Sequence, residues 1–523
     1  MTRTMNRLPK FHLLVVLLSA LSGVLLSGCA VNPVTGQREI VLVSAQREIS
    51  IGQEQYSPSQ QMQGGAFRTD PQLGAYVNRV GQKLAAVSGV NLPYEFVVLN
   101  SSVPNAWALP GGKIAINRGL LVALRNEAEL AAVLGHEVAH AAARHGAKRI
   151  ERGLVTQGAV ALIAIGTSGQ EYAGEVVGAA LAGAGLINKR YSRDAEREAD
   201  FYGTQFLAKA GYDPYAAVTL QETFVRLSGT QQADWLQGLL ASHPASTERV
   251  SNNRMLLKRL RSEGYVNGEF GEPAFAQAMQ TLRANQSAYD AYDEALDLYA
   301  DNEYDAALTQ VNAALAKYNE EALFHSLRGS IRLRQSRYDD AVINFDRAIA
   351  RDDGYYVHYL GRGLALSEQG QRARAKADLT RSVRLLPTAT AYQTLGQIAE
   401  AEGDAKTAQQ YYAQAGQSQS AEGVAARQSL MRLELGQRPA KYIAVRVGKN
   451  ERGRYVLRVR NQGGLAVANV VIRVELTTAE GVKTSTSRMA RIGAGETRSQ
   501  VLQVDPDKVQ RVRAYPLSAS LAR

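Results

Sequence analysis

Four columns of residues recur along the C-terminal half of this chain, and no other feature restricts its architecture as tightly. Ala295, Gly329, Gly363 and Gly396 stand 34, 34 and 33 positions apart. Ala307, Ala341, Ala375 and Ala408 keep that spacing, as do Val311, Phe345, Leu379 and Tyr412, and then Ala314, Ala348, Ser382 and Ala415. Each unit thus places a small residue on a first helix and, on a second helix, another small residue and then a large apolar one. The small positions let two helices approach closely and the large one fills the gap. Such a unit cannot bury its apolar face alone, so the units must stack into a solenoid. Pro387 falls where a unit ends, and a helix over 421–435 is placed to cap the stack.

This is the tetratricopeptide pattern, and it assigns 288–437 to an all-α solenoid. The texture changes from Tyr442 onward. The stretches 443–447, 455–460 and 470–476 alternate apolar and polar residues, with Gly463-Gly464 and Gly493 to Gly495 between them. Alternation with turn punctuation predicts a small antiparallel all-β sandwich over 440–523.

The N-terminus reads as a targeting segment. Arg3, Arg7 and Lys10 precede the apolar run Phe11 to Leu26, which is short and ends in small residues. That is a secretory signal peptide over 1–28 rather than a membrane span. Cys29 is the only cysteine of the 523 residues and stands where cleavage is expected. Leu26-Ser27-Gly28-Cys29 resembles a bacterial lipobox, which implies lipidation of Cys29 and anchoring of the tether 29–65. Ala30, where an inner-membrane lipoprotein carries Asp, implies the periplasmic face of the outer membrane in a Gram-negative bacterium. The formal charge is +11, but Lys and Arg are dispersed with no block of five or six, which argues against nucleic acid as a partner. The apolar stretches of 153–187 run for only ~13–15 residues, too short to cross a bilayer. They read as two small-residue helices, with a surface that dips into the membrane as the alternative.

The chemistry lies in an α+β domain over 66–285. Asp70-Pro71 opens a helix to about Val87, and Tyr94 to Leu99, Ala106 to Leu109 and Lys113 to Ile116 are strand candidates. Asn126 caps the next helix, Glu129 completes a capping box, and Gly146 is a plausible stop. This helix carries His136-Glu137-Val138-Ala139-His140. At 100° per residue, positions four apart share a face, so His136 and His140 can share one metal ion. Neutral imidazole suits zinc, and Glu137 can reach a water activated there. His145, nine positions after His136, is expected on the opposite face and solvated. Zinc hydrolases need a third protein ligand. Glu196, four before Asp200 on a predicted helix, is the candidate, with Asp200 orienting a ligating histidine or positioning an arginine and Glu198 turned away into solvent.

These residues carry a family resemblance. HEVAH followed by Tyr191-Ser-Arg-x-x-Glu196-x-Glu198-Ala-Asp200 resembles the gluzincin peptidases of the HtpX, Oma and CAAX-prenyl-protease kind. Asn32-Pro-Val-Thr-Gly36, Asn105-Ala-Trp-Ala-Leu-Pro-Gly-Gly112 and Ser242-His243-Pro244 with Arg249 resemble further family elements. With the repeats, the chain is most similar to the BepA-like periplasmic protease-chaperones. The C-terminal β domain departs from that pattern. The resemblance implies one Zn2+ per chain on His136, His140 and Glu196, with Glu137 as general base. It implies catalytic support from His243 and Arg249. It also implies that extended substrate adds to the edge Asn105, Ala106, Trp107 and Ala108 by main-chain hydrogen bonding.

The function so implied is an anchored zinc metalloendopeptidase that degrades misfolded or unassembled envelope proteins. The repeats would recruit such clients and the outer-membrane assembly machinery. The alternative is a chaperone or assembly scaffold with latent protease activity. An intact Glu137 favours the first, because a scaffold has no need of it.

Overall fold

The computed structural model describes residues 29–157, 190–228 and 237–522. The signal-peptide reading and nearly all of the apolar stretch 153–187 lie outside the described residues. Among the described residues no helix is long and apolar enough to cross a membrane. The chain divides into two compact units, the second comprising the described residues from Arg362 onward.

The first unit is built around a three-stranded sheet of β3 (Glu95–Leu99), β4 (Ala106–Leu109) and β5 (Lys113–Asn117), in the order β3-β5-β4. β3 runs parallel to β5 and β4 antiparallel to it. β4 is therefore an edge, which its sequence could suggest but its pairing alone establishes. The helix Glu127–Ala142 packs on this sheet and on the helices Pro71–Val87, Arg193–Lys209 and Tyr215–Ser228. Its N-terminus is held as the sequence predicts: Asn126 Oδ1 accepts the Glu129 amide at 2.9 Å. The Glu129 side chain reaches one residue further back than a capping box requires, accepting the Arg125 amide at 2.8 Å.

The helix stops earlier than Gly146 suggested. Arg144 adopts a left-handed φ of 61°, and a new helix, His145–Gln157, starts beyond it. The N-terminal segment locks this break. Asn32 Nδ2 donates to the Ala143 carbonyl at 3.0 Å, and its Oδ1 accepts the Val34 and Thr35 amides. The Arg144 guanidinium pairs with buried Glu48 and donates to the Val43 carbonyl at 2.7 Å. Residues 29–65 carry secondary structure of their own. They contain a two-stranded ladder, β1 (Cys29–Val31) with β2 (Arg38–Ile40), and the helix Ala45–Gln61.

The repeats form as helix pairs: Gln286–Ala300 with Tyr304–Lys317, Ala322–Arg334 with Tyr338–Arg351, Tyr356–Glu368 with Arg372–Leu385, and Ala389–Ala401 with Ala405–Ala415. The helix Ala421–Glu434 follows. The small column answers the large one within each pair. A Cβ on Gly329 would lie 3.1 Å from the Phe345 ring, and one on Gly396 would lie 2.6 Å from Tyr412. The first would press on the Phe345 ring and the second could not be accommodated without a shift of Tyr412. In the first unit the early repeats share one apolar core with the sheet and the HEVAH helix. A buried carboxylate ties them further. Glu321 accepts from Thr69 Oγ1 at 2.9 Å, Asn100 Nδ2 at 2.9 Å and the Tyr289 hydroxyl at 2.8 Å.

One repeat histidine gives the first unit a pH dependence. His358 is fully buried, with Nδ1 2.9 Å from Ser326 Oγ. Burial, helped by His325 nearby, pushes its pKa down to about 3. The unfolded chain takes up a proton near pH 6.5 that the folded chain refuses, so stability is lost as pH falls from there towards 3. At up to about 1.4 kcal/mol per pH unit, acidification to pH 5 removes about 2 kcal/mol through this group. Urea unfolding of His358→Gln should show a loss smaller by that amount. Identical pH profiles for variant and wild type would refute the assignment.

In the second unit two three-stranded antiparallel sheets follow the repeats. One has the order β10 (Thr497–Val501), β7 (Tyr455–Asn461), β6 (Ile443–Lys449). The other has the order β11 (Val509–Leu521), β8 (Val467–Thr478), β9 (Gly481–Ile492). Both sheets are open.

Candidate metal centre

Two helices place the chemistry. His136, Glu137 and His140 lie on the second half of Glu127–Ala142, and Glu196 and Asp200 on Arg193–Lys209. The helices meet at two glycines. A Cβ on Gly203 would lie 2.8 Å from the His136 amide nitrogen and 2.9 Å from the Gly135 carbonyl oxygen. Only this close approach lets the short reach of Glu196 meet the histidine pair. Gly203→Ala should therefore displace His136 itself. The expected result is a loss of about 1–3 kcal/mol in stability together with weakened metal binding, read by thermal unfolding and chelator competition. Unchanged metal affinity would show that the glycine contact does not set the site.

Nε2 of His136 and Nε2 of His140 lie 3.0 Å apart. Glu196 comes within 3.5 Å of the first and 3.4 Å of the second. His243, from the loop after the helix Gln237–Ser242, brings Nδ1 to 3.3 Å from His136 Nε2 and 3.0 Å from Glu196 Oε1. These four residues offer ligand atoms that all lie within 4.8 Å of one another. A tetrahedral ion with ligands at about 2.0–2.1 Å has ligand–ligand edges of roughly 3.3–3.4 Å, so the donor set fits such an ion. Among the described residues, His243 Nε2 and Glu137 Oε2 are buried with no hydrogen-bond partner. Polar atoms left so in an apolar surrounding mark a site shaped for something else to bind.

The surrounding charges fix the rings. His136 Nδ1 lies 3.1 Å from Asp200 Oδ1, which turns Nε2 towards the cluster. Asp200 is gripped by Arg249, with Nε to Oδ2 at 2.7 Å and Nη2 to Oδ1 at 2.6 Å. Arg249 Nη1 donates to the Pro244 carbonyl at 3.0 Å and lies 3.2 Å from Glu196 Oε2. Burial alone would strip charge from His136. Hydrogen bonds that its ring donates to Asp200 and Glu196 outweigh this and raise its pKa to about 10. His140 goes the other way, held neutral chiefly by burial. Burial also raises the carboxyl of Glu137, against the pull of His243 and His136.

The structure thus brings together His136, Glu137, His140, Glu196, Asp200, His243 and Arg249. The edge residues are placed differently from one another. Ala106 borders the cavity beside His136 and Glu137. Trp107 packs with Leu99, Leu109 and Ala115 in a separate apolar cluster. Ser242 Oγ reaches Asn105 Oδ1 at 3.5 Å, and Tyr191 donates to the Ala108 carbonyl at 3.3 Å.

One expectation is overturned and another holds only in part. His145 is not solvated: it is 4% exposed, and its Nδ1 lies 2.8 Å from Nδ1 of His140. Glu198 is turned from the donor set but only partly into solvent: its side chain is 32% exposed, and its Oε2 lies 3.0 Å from His145 Nε2. The nine-position argument assumed one continuous helix, and the left-handed Arg144 resets the direction before His145. The Tyr191 ring also went unread as part of the site. It stacks on His140 at 4.0 Å between centroids, and its place in the quoted motif was the only signal.

Comparison with known proteins agrees with this geometry. Residues 71–256 match the model of peptidase family M48, and residues 292–356 match a tetratricopeptide repeat. The beta-barrel assembly-enhancing protease of Escherichia coli K12 is 27% identical over 329 residues, covering 57% of this chain and 67% of that one. The mitochondrial metalloendopeptidase OMA1 of Schizosaccharomyces pombe is 35% identical over 176 residues, covering 34% and 50%. The metalloprotease YcaL of Escherichia coli K12 is 32% identical over 195 residues, which span 35% of this chain and 72% of that relative. The M48 match runs over both helices that supply the donor set, and on this match and the YcaL coverage the chain belongs to peptidase family M48 and is a metalloprotease.

Proposed function

We propose that the protein is a zinc endopeptidase of the bacterial envelope that removes misfolded or unassembled envelope polypeptides. The observation that carries the chemistry is the His136–His140–Glu196 donor set, buried at His140 and Glu196 and nearly so at His136, with the Glu137 carboxylate beside it. Zinc held there would supply Lewis acidity, which polarises a scissile carbonyl and makes water nucleophilic at neutral pH. Glu137 would take the proton from the attacking water and return it to the leaving amine, a task suited to a carboxyl whose pKa burial has raised. Asp200 would hold His136 in the ligating tautomer, and Arg249 would hold both acids in place. Arg249 therefore acts by positioning, since its donors are engaged by Asp200, Glu196 and Pro244. His243, lying against Glu196, would close the site at rest. Once displaced it would present a ring nitrogen to the developing oxyanion.

The envelope assignment rests on the lipobox-like Cys29, on Ala30 after it, and on the likeness to a protease named for β-barrel assembly. The repeats are suited to protein recognition, which supports recruitment of clients or assembly partners. The two C-terminal sheets are read as a small sandwich because their inward side chains fall in one apolar cluster. The reading is tested with the full-length protein and an unfolded outer-membrane β-barrel polypeptide. Cleavage is expected, should stop on chelation, and should return with zinc. No cleavage of any unfolded envelope polypeptide, with zinc and with the site intact, would favour the scaffold instead.

A further inference from the structure

We propose that His145 and Glu198 form a relay that sets the tautomer of His140, and thereby the strength of the metal site. The inference rests on the zinc reading above. Glu198 Oε2 lies 3.0 Å from His145 Nε2, and His145 Nδ1 lies 2.8 Å from His140 Nδ1. An ionised carboxylate only accepts, so the His145 nitrogen facing it carries the hydrogen. The opposite nitrogen of a neutral His145 is then a lone pair, and the partner nitrogen of His140 must donate to it. That leaves His140 Nε2 without hydrogen, and Nε2 is the atom 3.0 Å from His136 Nε2 and 3.4 Å from Glu196. A second hydrogen on His145 would place a charge on a ring 4% exposed. It would also turn Nδ1 into a donor and force the hydrogen of His140 into the metal-binding cluster. The Tyr191 ring, tilted only 22° from that of His140, holds the imidazole in the plane that the relay requires. His136 has its own partner in Asp200, so each ligating histidine is oriented by a separate carboxylate, one directly and one through a second imidazole.

The test measures zinc affinity by chelator competition on the full-length protein. His145→Phe keeps the ring's bulk and removes the acceptor, and should weaken zinc about 10–100-fold. His145→Gln, whose side-chain oxygen can accept from His140 Nδ1, should recover most of that loss, which mere filling of space would not do. Glu198→Ala should weaken zinc by a smaller factor, and the Glu198→Ala/His145→Phe double variant no further than His145→Phe alone. Glu198 carries the test if His145→Phe does not fold, because its side chain is 32% exposed and its loss opens no core cavity. Wild-type affinity in His145→Phe, or in Glu198→Ala should His145→Phe not fold, overturns the relay and leaves the zinc reading standing. Failure of the wild type to bind zinc counts against the zinc reading instead. The relay is then decided by nitrogen-15 spectra of the histidines in the metal-free protein. Hydrogen on His140 Nδ1 supports it and hydrogen on Nε2 overturns it.

Discussion

Glu137→Gln is expected to lower cleavage of an unfolded substrate by about 10²–10⁴-fold while leaving metal content and stability unchanged. The amide keeps the shape of the carboxylate but cannot take a proton from water. Glu137 lies beside the donor set without belonging to it: its Oε1 is 3.5 Å from His243 Nε2. Its removal should therefore not disturb the ligands. Neutralising a buried carboxylate also removes a desolvated charge, so the variant should unfold no earlier than the wild type. Turnover is read by gel or fluorogenic assay, and metal by elemental analysis of the same sample. Undiminished cleavage by this variant would remove Glu137 from the chemistry.

The largest effect on stability is expected at Arg249, whose guanidinium is the counter-charge for two buried acids. Arg249→Met takes the bidentate partner from Asp200 and leaves both acids to the neighbouring histidines alone, at a cost of about 3–5 kcal/mol. Both carboxyls are held below their ordinary pKa although burial works to raise them. For Asp200 the opposing cause is Arg249, and for Glu196 it is chiefly the neighbouring histidines. Added zinc should restore part of the loss, since it supplies positive charge to the same carboxylates. Arg249→Lys should rescue little, because a single ammonium cannot reproduce the paired contacts to Asp200 and the third donor to Pro244. Thermal unfolding with and without zinc checks all three statements. A variant as stable as the wild type in both would show that the pair carries no net weight.

What the sequence disclosed follows the range of the interactions involved. HEVAH was legible because one helical turn brings His136 and His140 to one face, and Glu196 with Asp200 for the same reason. The repeats were legible because each pairs a small column with a large one at fixed separation, as Gly329 does with Phe345. The meeting of the two helices at Gly135 and Gly203 is a long-range packing event without a periodic signature. That Asp200 could position an arginine was legible, but that Arg249 does so across 49 positions, with both oxygens gripped, has no periodic signature either. His145 was misplaced because one residue, Arg144, leaves helical geometry. In the C-terminal sheets β9 escaped notice because its first six residues are exposed and, after Gly481 and Val482, polar, so no alternation marks it.

The proposed hydrolysis depends on a single zinc ion held by His136, His140 and Glu196. The most direct measurement is the zinc content per chain of the full-length wild type and of Glu196→Ala, after equilibration against buffered zinc. The account predicts one zinc in the wild type, and in the variant zinc lost in parallel with cleavage. A variant that keeps its zinc, or a zinc-free wild type that still cleaves, would contradict it.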